Sequence, residues 1–180
     1  YVPWYQSSKA HNMVVVNDRN IERQDIEGTG IEWGSTHSVD YFAGEHAGYD
    51  SLGVHHSRQI AFVKPSYWFI LDNLRCRRVD DTLSWYFHSP TTLLPFKQGF
   101  RSSAAPGVVV LPATSTLTSQ RGEGWSASTA DKNPGKTQII NWIRFDHITS
   151  TDSLTQFPVL LFPFPGELGS IDCMRESTQH

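Results

Sequence analysis

The sequence predicts an all-β fold, a single antiparallel β-sandwich. Three observations carry the prediction. No window of a dozen residues sets apolar positions at three-four spacing among good helix formers. Short apolar or alternating runs recur instead, roughly every ten residues, each bounded by turn residues. Aromatic residues make up 12% of the 180, with six Trp and ten Phe, and large flat side chains pack well on a pleated surface.

Residues 13–16 read as a buried strand closed by the turn-prone Asn17-Asp18-Arg19-Asn20. Residues 22–41 are polar with scattered hydrophobics, and Gly28-Thr29-Gly30 marks a turn. A strand over 39–43 leads into Gly44-Glu45-His46-Ala47-Gly48-Tyr49-Asp50, which reads as a loop at one end of the sheet. A long pair, 54–63 and 67–71, is joined by Lys64-Pro65-Ser66, where the missing proline N–H does no harm to a ladder. Residues 80–88 alternate, predicting burial of Leu83, Trp85 and Phe87 and exposure of Ser84, Tyr86 and His88.

Residues 108–111 and 114–118 resemble a hairpin, and Gly122-Glu123-Gly124 a turn before Trp125. Residues 131–136, holding Asn133-Pro134-Gly135, form the clearest loop. Strands over 137–145 and 156–164 close a single domain, residues 1–165. The polar tail, 166–180, is expected to be flexible.

With 15 basic and 18 acidic residues the net charge is -3, so no global positive field draws in nucleic acid. A local cluster of cations could still hold a polyanionic sugar. No apolar run reaches the length of a membrane span. The opening Tyr1-Val2-Pro3-Trp4-Tyr5 lacks a basic region followed by an apolar stretch, so it does not read as a signal peptide. On this reading the chain is processed or begins inside something larger. Cys76 and Cys173 lie far apart outside any CxxC pair, which argues against a metal cluster or redox motif and leaves open one disulfide or two free thiols.

Four places could carry chemistry. His11, between Lys9 and Asn12 just before a strand, is either a hydrogen-bonded core histidine or a ligand, and no HxH or HExxH pattern surrounds it. In His55-His56-Ser57-Arg58, alternation sends His56 and Arg58 to one face and His55 to the other. That pair either binds a carboxylate or sulfate, or ties the strand to a neighbouring acid. Glu45-His46 is either an acid/base or sugar-binding pair or an ordinary exposed step. Arg75, Arg77 and Arg78 read as a solvated turn facing Asp72, Asp80 and Asp81. No nucleophile elbow, P-loop or dinucleotide fingerprint is present.

The order of these pieces resembles a known family. Ala10-His11-Asn12 with its apolar strand is followed by Tyr49, His56-x-Arg58, and Phe62-Val63-Lys64-Pro65-x-Tyr67-Trp68 ending in Asp72. Then come Trp85-Tyr86-Phe87-His88, Gly124-Trp125-Ser126 and Phe157-Pro158-Val159-Leu160-Leu161-Phe162-Pro163. Over residues 7–165 this resembles the β-sandwich region of the heparinase II/III-like polysaccharide lyases. The resemblance implies a sandwich that follows an α/α toroid. It also implies β-elimination on uronic-acid polysaccharides, with the catalytic residues largely in the toroid and none in this chain.

The same resemblance implies a structural zinc in the complete protein, held by a Gly-His-x-His-like segment, an Asp and the histidine of Ala-His-Asn. Only His11 matches one of those positions here, so zinc binding by the chain alone is expected to be weak. Tyr1 and Tyr5 stand in the stretch that faces the sugar in the family, and Glu45 and His46 are the further substrate-binding candidates. The implied partners are an acidic polysaccharide and the toroid, in the same or a companion chain, and the implied location is periplasmic or secreted in a bacterium. The alternatives are a non-catalytic carbohydrate-binding sandwich using Tyr86 and Trp125, or a purely structural β-domain.

Overall fold

Two antiparallel sheets face one another in the computed structural model, which describes residues 2–22, 27–127, 137–150 and 153–166. A short helix α1 (Val2–Tyr5) and a 3₁₀ turn (Ser8–Ala10) precede β1 (Val14–Val16), β2 (Gly28–Ser35) and β3 (Val39–His46). A second 3₁₀ turn (Asp50–Leu52) leads to β4 (Val54–Val63), β5 (Tyr67–Cys76), β6 (Thr82–Ser89), β7 (Leu93–Phe96) and β8 (Gly99–Ser102). The chain ends with β9 (Gly107–Pro112), β10 (Thr118–Ala127), β11 (Thr137–Ile148) and β12 (Ser153–Phe164).

The smaller sheet runs β1-β6-β11-β10 and the larger β2-β3-β4-β5-β12-β9-β8-β7. The core lies between them, where Val14, Val16, Leu83, Trp85, Ile143 and Phe145 meet Val54, Leu74, Phe157 and Val159. Three consecutive β-branched residues make β1 a stiff strand, and all three are buried because both of its faces are covered. In the long β4–β5 pair β4 spans the expected residues, while β5 runs on past the expected 71 to Cys76, which sets Arg58 directly opposite Asp72.

Several local expectations are corrected. Gly28-Thr29-Gly30 is not a turn but the start of β2, where the register shifts between Thr29 and Glu32 and Gly30 adopts φ +57°. Gly44-Glu45-His46 is not loop either; it ends β3, paired with His56, Ser57 and Arg58 of β4. Residues 108–111 and 114–118 do not form a hairpin: β9 pairs with β8 and β12, and Thr118 opens β10. The short hairpin β7–β8 was not anticipated.

Gly122 and Gly124 lie inside β10. A Cβ at Gly122 would run into the Trp142 ring, and one at Gly124 into the Trp4 ring. The glycines therefore make a smooth floor for two indoles.

The alternation of β6 holds for its inner face, but Ser84 and Tyr86 are buried rather than exposed. Neighbours cover the outer face. Ser84 Oγ donates to Asp146 Oδ1 (2.6 Å), Arg144 Nη1 donates to Tyr86 Oη (3.1 Å), and the Trp142 ring centre lies 5.5 Å from that of Tyr86. Arg75, Arg77 and Arg78 do not pair with Asp72, which is turned into the core. The 131–136 loop, the tail beyond Gly166 and Cys173 lie outside the described residues, and Cys76 is fully buried.

Candidate functional site

One polar network crosses the sandwich and ends at the Ala10-His11-Asn12 segment. Its centre is Asp72, a fully buried carboxylate on β5. Oδ1 accepts from His56 Nε2 at 2.6 Å and Arg58 Nε at 2.7 Å. Oδ2 accepts from Arg58 Nη2 at 3.0 Å and from the indole Nε1 of Trp85, across on β6, at 2.9 Å. Two strands of one sheet and one strand of the other thus converge on a single side chain.

The network extends in two directions. Inward, His46 Nε2 lies 2.9 Å from His56 Nδ1, and Gly48 N–H donates to His46 Nδ1 at 3.0 Å. These donors fix the tautomers: both rings carry hydrogen on Nε2, and the chain runs Gly48 to His46 to His56 to Asp72. Outward, Arg58 Nη1 donates to the Asn12 carbonyl at 2.8 Å. Asn12 Oδ1 in turn accepts from His88 N–H and His88 Nδ1, each at 2.9 Å. Asn12 is thereby pinned through both its backbone and its side chain.

Electrostatics follow from burial. Burial alone would raise the Asp72 pKa, but hydrogen bonding from His56 and the Arg58 guanidinium overcome it and hold the carboxyl below its usual value. Burial, reinforced by the charges of His56 and Arg58, lowers His46 to about 4, so it is neutral at pH 7. His88 is also lowered to about 4, by burial first and then by His11, with the Lys9 backbone acting the other way. Since Nδ1 of His88 donates to Asn12, its Nε2 carries a lone pair, which is buried and has no hydrogen-bond partner among the described residues.

The sequence-predicted site residues are distributed as follows. His11 is exposed, next to Asn12 and close enough to His88 to influence its ionisation. Tyr5 ends α1 with its hydroxyl buried and without a hydrogen-bond partner among the described residues, and Tyr1 lies outside them. His46 belongs to the Asp72 network. Glu45 faces the other way and binds Thr29 Oγ1 (3.2 Å) and His55 Nε2 (3.0 Å). The structure therefore brings His46, His56 and Arg58 together and separates Glu45 from them. For His56 and Arg58 the neighbouring-acid reading is the one realised.

His88 was missed as a member of the site. The Trp85-Tyr86-Phe87-His88 run marks it only as the last outward position of a strand. No group of three His, Cys, Asp or Glu side chains that could hold a metal occurs among the described residues. Those residues alone do not fit a zinc ion, which takes three or four protein ligands.

Comparison with known proteins places this geometry. A family model described as heparinase II/III-like, C-terminal, matches residues 3–164. The chain belongs to that family. The fold of this heparinase II/III-like domain is similar to that of heparan sulfate lyase HepC from Pedobacter heparinus, at 12% identity and TM-score 0.79, covering 93% of this chain and 26% of that one. A heparinase III crystal structure is similar at 17% identity and TM-score 0.73, covering 92% and 25%. The domain thus spans about a quarter of the length of these structures. No curated protein sequence matches the chain. No helix among the described residues is long and apolar enough to cross a membrane.

Proposed function

We propose that this heparinase II/III-like domain is the β-sandwich portion of a polysaccharide lyase that cleaves a uronic-acid-containing polysaccharide by β-elimination. In that reaction a base removes the proton α to the uronate carboxylate. The bond to the glycosidic oxygen breaks, the oxygen leaves with its electron pair, and an unsaturated uronate remains. The single observation that carries the reading is the family match over residues 3–164. An α/α toroid, in the same or a companion chain, supplies the base and most substrate contacts, and the 180 residues alone are inactive.

Within that division of labour, the domain contributes a rigid edge. Arg58 and His88 hold Asn12 from two sides, which fixes the exposed His11 beside it. Tyr1 and Tyr5, with Glu45 and His46, are the substrate-facing candidates. A structural zinc in the complete protein takes His11 from this chain and its other ligands from outside it. The protein is assigned to a bacterial periplasm or exterior, where such polysaccharides are met.

The test is turnover of heparan sulfate, hyaluronan, chondroitin and alginate, followed by ultraviolet absorbance of the unsaturated product. Product from the complete protein and none from residues 1–180 is expected. Clear turnover by the 180 residues would overturn the division of labour. A second reading, a non-catalytic carbohydrate-binding module, rests on Trp125, which is 42% exposed and meets Trp4 edge-on with ring centres 6.0 Å apart. Saturable polysaccharide binding lost in a folded Trp125→Ala variant would favour it.

A further inference from the structure

We propose a second, anion-binding site on the outer face of the larger sheet, made by Arg75, Arg77 and His55 and taking the carboxylate or sulfate groups of an acidic saccharide. It rests on the lyase reading above for the identity of the saccharide, and on local geometry for the site.

The alternation that turns His56 and Arg58 inward to Asp72 turns their neighbours outward. His55 sits directly opposite Arg75 in the β4–β5 register, which sets their Cβ atoms about 5 Å apart. Arg77 continues the pairing just past the strand, its N–H donating to the Gly53 carbonyl at 3.1 Å. Gly53 holds φ +75°, and a Cβ there would lie 3.5 Å from Arg77 Cβ and 3.9 Å from its Cδ. The Arg77 stem therefore lies across the bare backbone of Gly53. Together with Asp50, Gly53 and Val54, the three side chains line a hollow of about 360 Å³.

The arginines are used in two ways, and what sets Arg75 and Arg77 apart from Arg19, Arg78 and Arg101, which likewise make no side-chain hydrogen bond among the described residues, is that the two share one hollow. Arg58, Arg121 and Arg144 each donate to groups inside the fold. The side chains of Arg75 and Arg77 make no hydrogen bond or ion pair among the described residues. Two guanidiniums facing one hollow repel each other, and an anion between them removes the repulsion and accepts bidentate hydrogen bonds. His55, whose Nε2 meets Glu45 at 3.0 Å, stands at the third corner. Asp50 is the one carboxylate in the lining, so cationic groups remain in excess. The overall charge of -3 makes this local reversal of sign the more selective.

The experiment is calorimetric titration of the 180-residue chain with a heparan sulfate tetrasaccharide, a hyaluronan tetrasaccharide and inorganic sulfate. Variants are Arg75→Gln/Arg77→Gln and, as a control with a single charge loss elsewhere, Arg101→Gln. Binding of at least one tetrasaccharide, weakened tenfold or more in the double variant and less than twofold in the control, is the expected result. The double variant should keep the parent's thermal midpoint, because Arg75 and Arg77 lie at the surface, and the half-buried Arg101 control is compared at a temperature where all three proteins are folded. Binding of both tetrasaccharides assigns the site to carboxylates; binding of heparan sulfate and inorganic sulfate without hyaluronan assigns it to sulfate. Equal affinities for parent and double variant, or no binding by the parent, would overturn the site. Those results leave lyase turnover by the complete protein untouched. Arg75- and Arg77-dependent binding beside a complete protein without turnover would remove the lyase reading and keep the site.

Discussion

Replacing Asp72 by Ala tests the polar network most severely. The side chain is fully buried and accepts four hydrogen bonds, from His56, twice from Arg58, and from Trp85. Its removal leaves a guanidinium without its counter-ion and two buried N–H donors without acceptors. Breaking a buried pair by deleting one partner costs about 3–5 kcal/mol. The Arg58 side chain is 23% exposed and can regain some water, which places the loss toward the lower end, about 3 kcal/mol. For a chain of this size that lowers the thermal midpoint by about 6–12 °C.

The assay is urea unfolding followed by tryptophan fluorescence, since Trp85 itself reports on the centre. Arg58→Met combined with Asp72→Leu should recover part of the loss, because no unpaired charge remains, with a coupling of at least about 1 kcal/mol. A loss below about 1 kcal/mol for Asp72→Ala, or strict additivity in the cycle, would refute the claim that the network holds the sheets together.

Three further outcomes follow from the same geometry. Because His46 and His88 are lowered to about 4 in the folded state, from an ordinary value of 6.5, the unfolded chain binds more protons than the native one below pH 6.5. Stability should therefore fall as pH drops from about 6.5 to about 4, with uptake of up to about two protons on unfolding, and His46→Phe should flatten the profile. Asp72, depressed in the folded state, adds its own loss only below its unfolded value of 3.8. Gly124→Ala should displace the Trp4 ring, lowering stability by about 1–3 kcal/mol and shifting tryptophan emission. His11→Ala should leave the stability of the 180 residues within about 0.5 kcal/mol, because the side chain is exposed, and comparing the zinc content of the complete protein with and without this substitution tests the proposed ligand.

Much of the fold is legible in the sequence because its strong strands alternate or run apolar. The β4–β5 pair, the inner face of β6 and the final strand β12 each show their burial in residue type. Position-two alternation also separates His55 from His56, which is the root of both sites described above. Glycines mislead wherever they serve packing instead of turning. At Gly122 and Gly124 a missing side chain makes room for indoles far away in sequence, and nothing local announces that. Tyr86 and Ser84 look exposed because their cover comes from Arg144, Trp142 and Asp146 on another strand. His88 belongs to the site only through Asn12, a contact across 76 positions.

The central claim is that this domain is the inactive sandwich of an otherwise active lyase. Its most direct test compares ultraviolet-detected release of unsaturated uronate by residues 1–180 and by the complete protein, on the same set of acidic polysaccharides. Product from the complete protein alone is the expected result. Absence of product from the complete protein on every uronate-containing polymer, or turnover by residues 1–180, would contradict it.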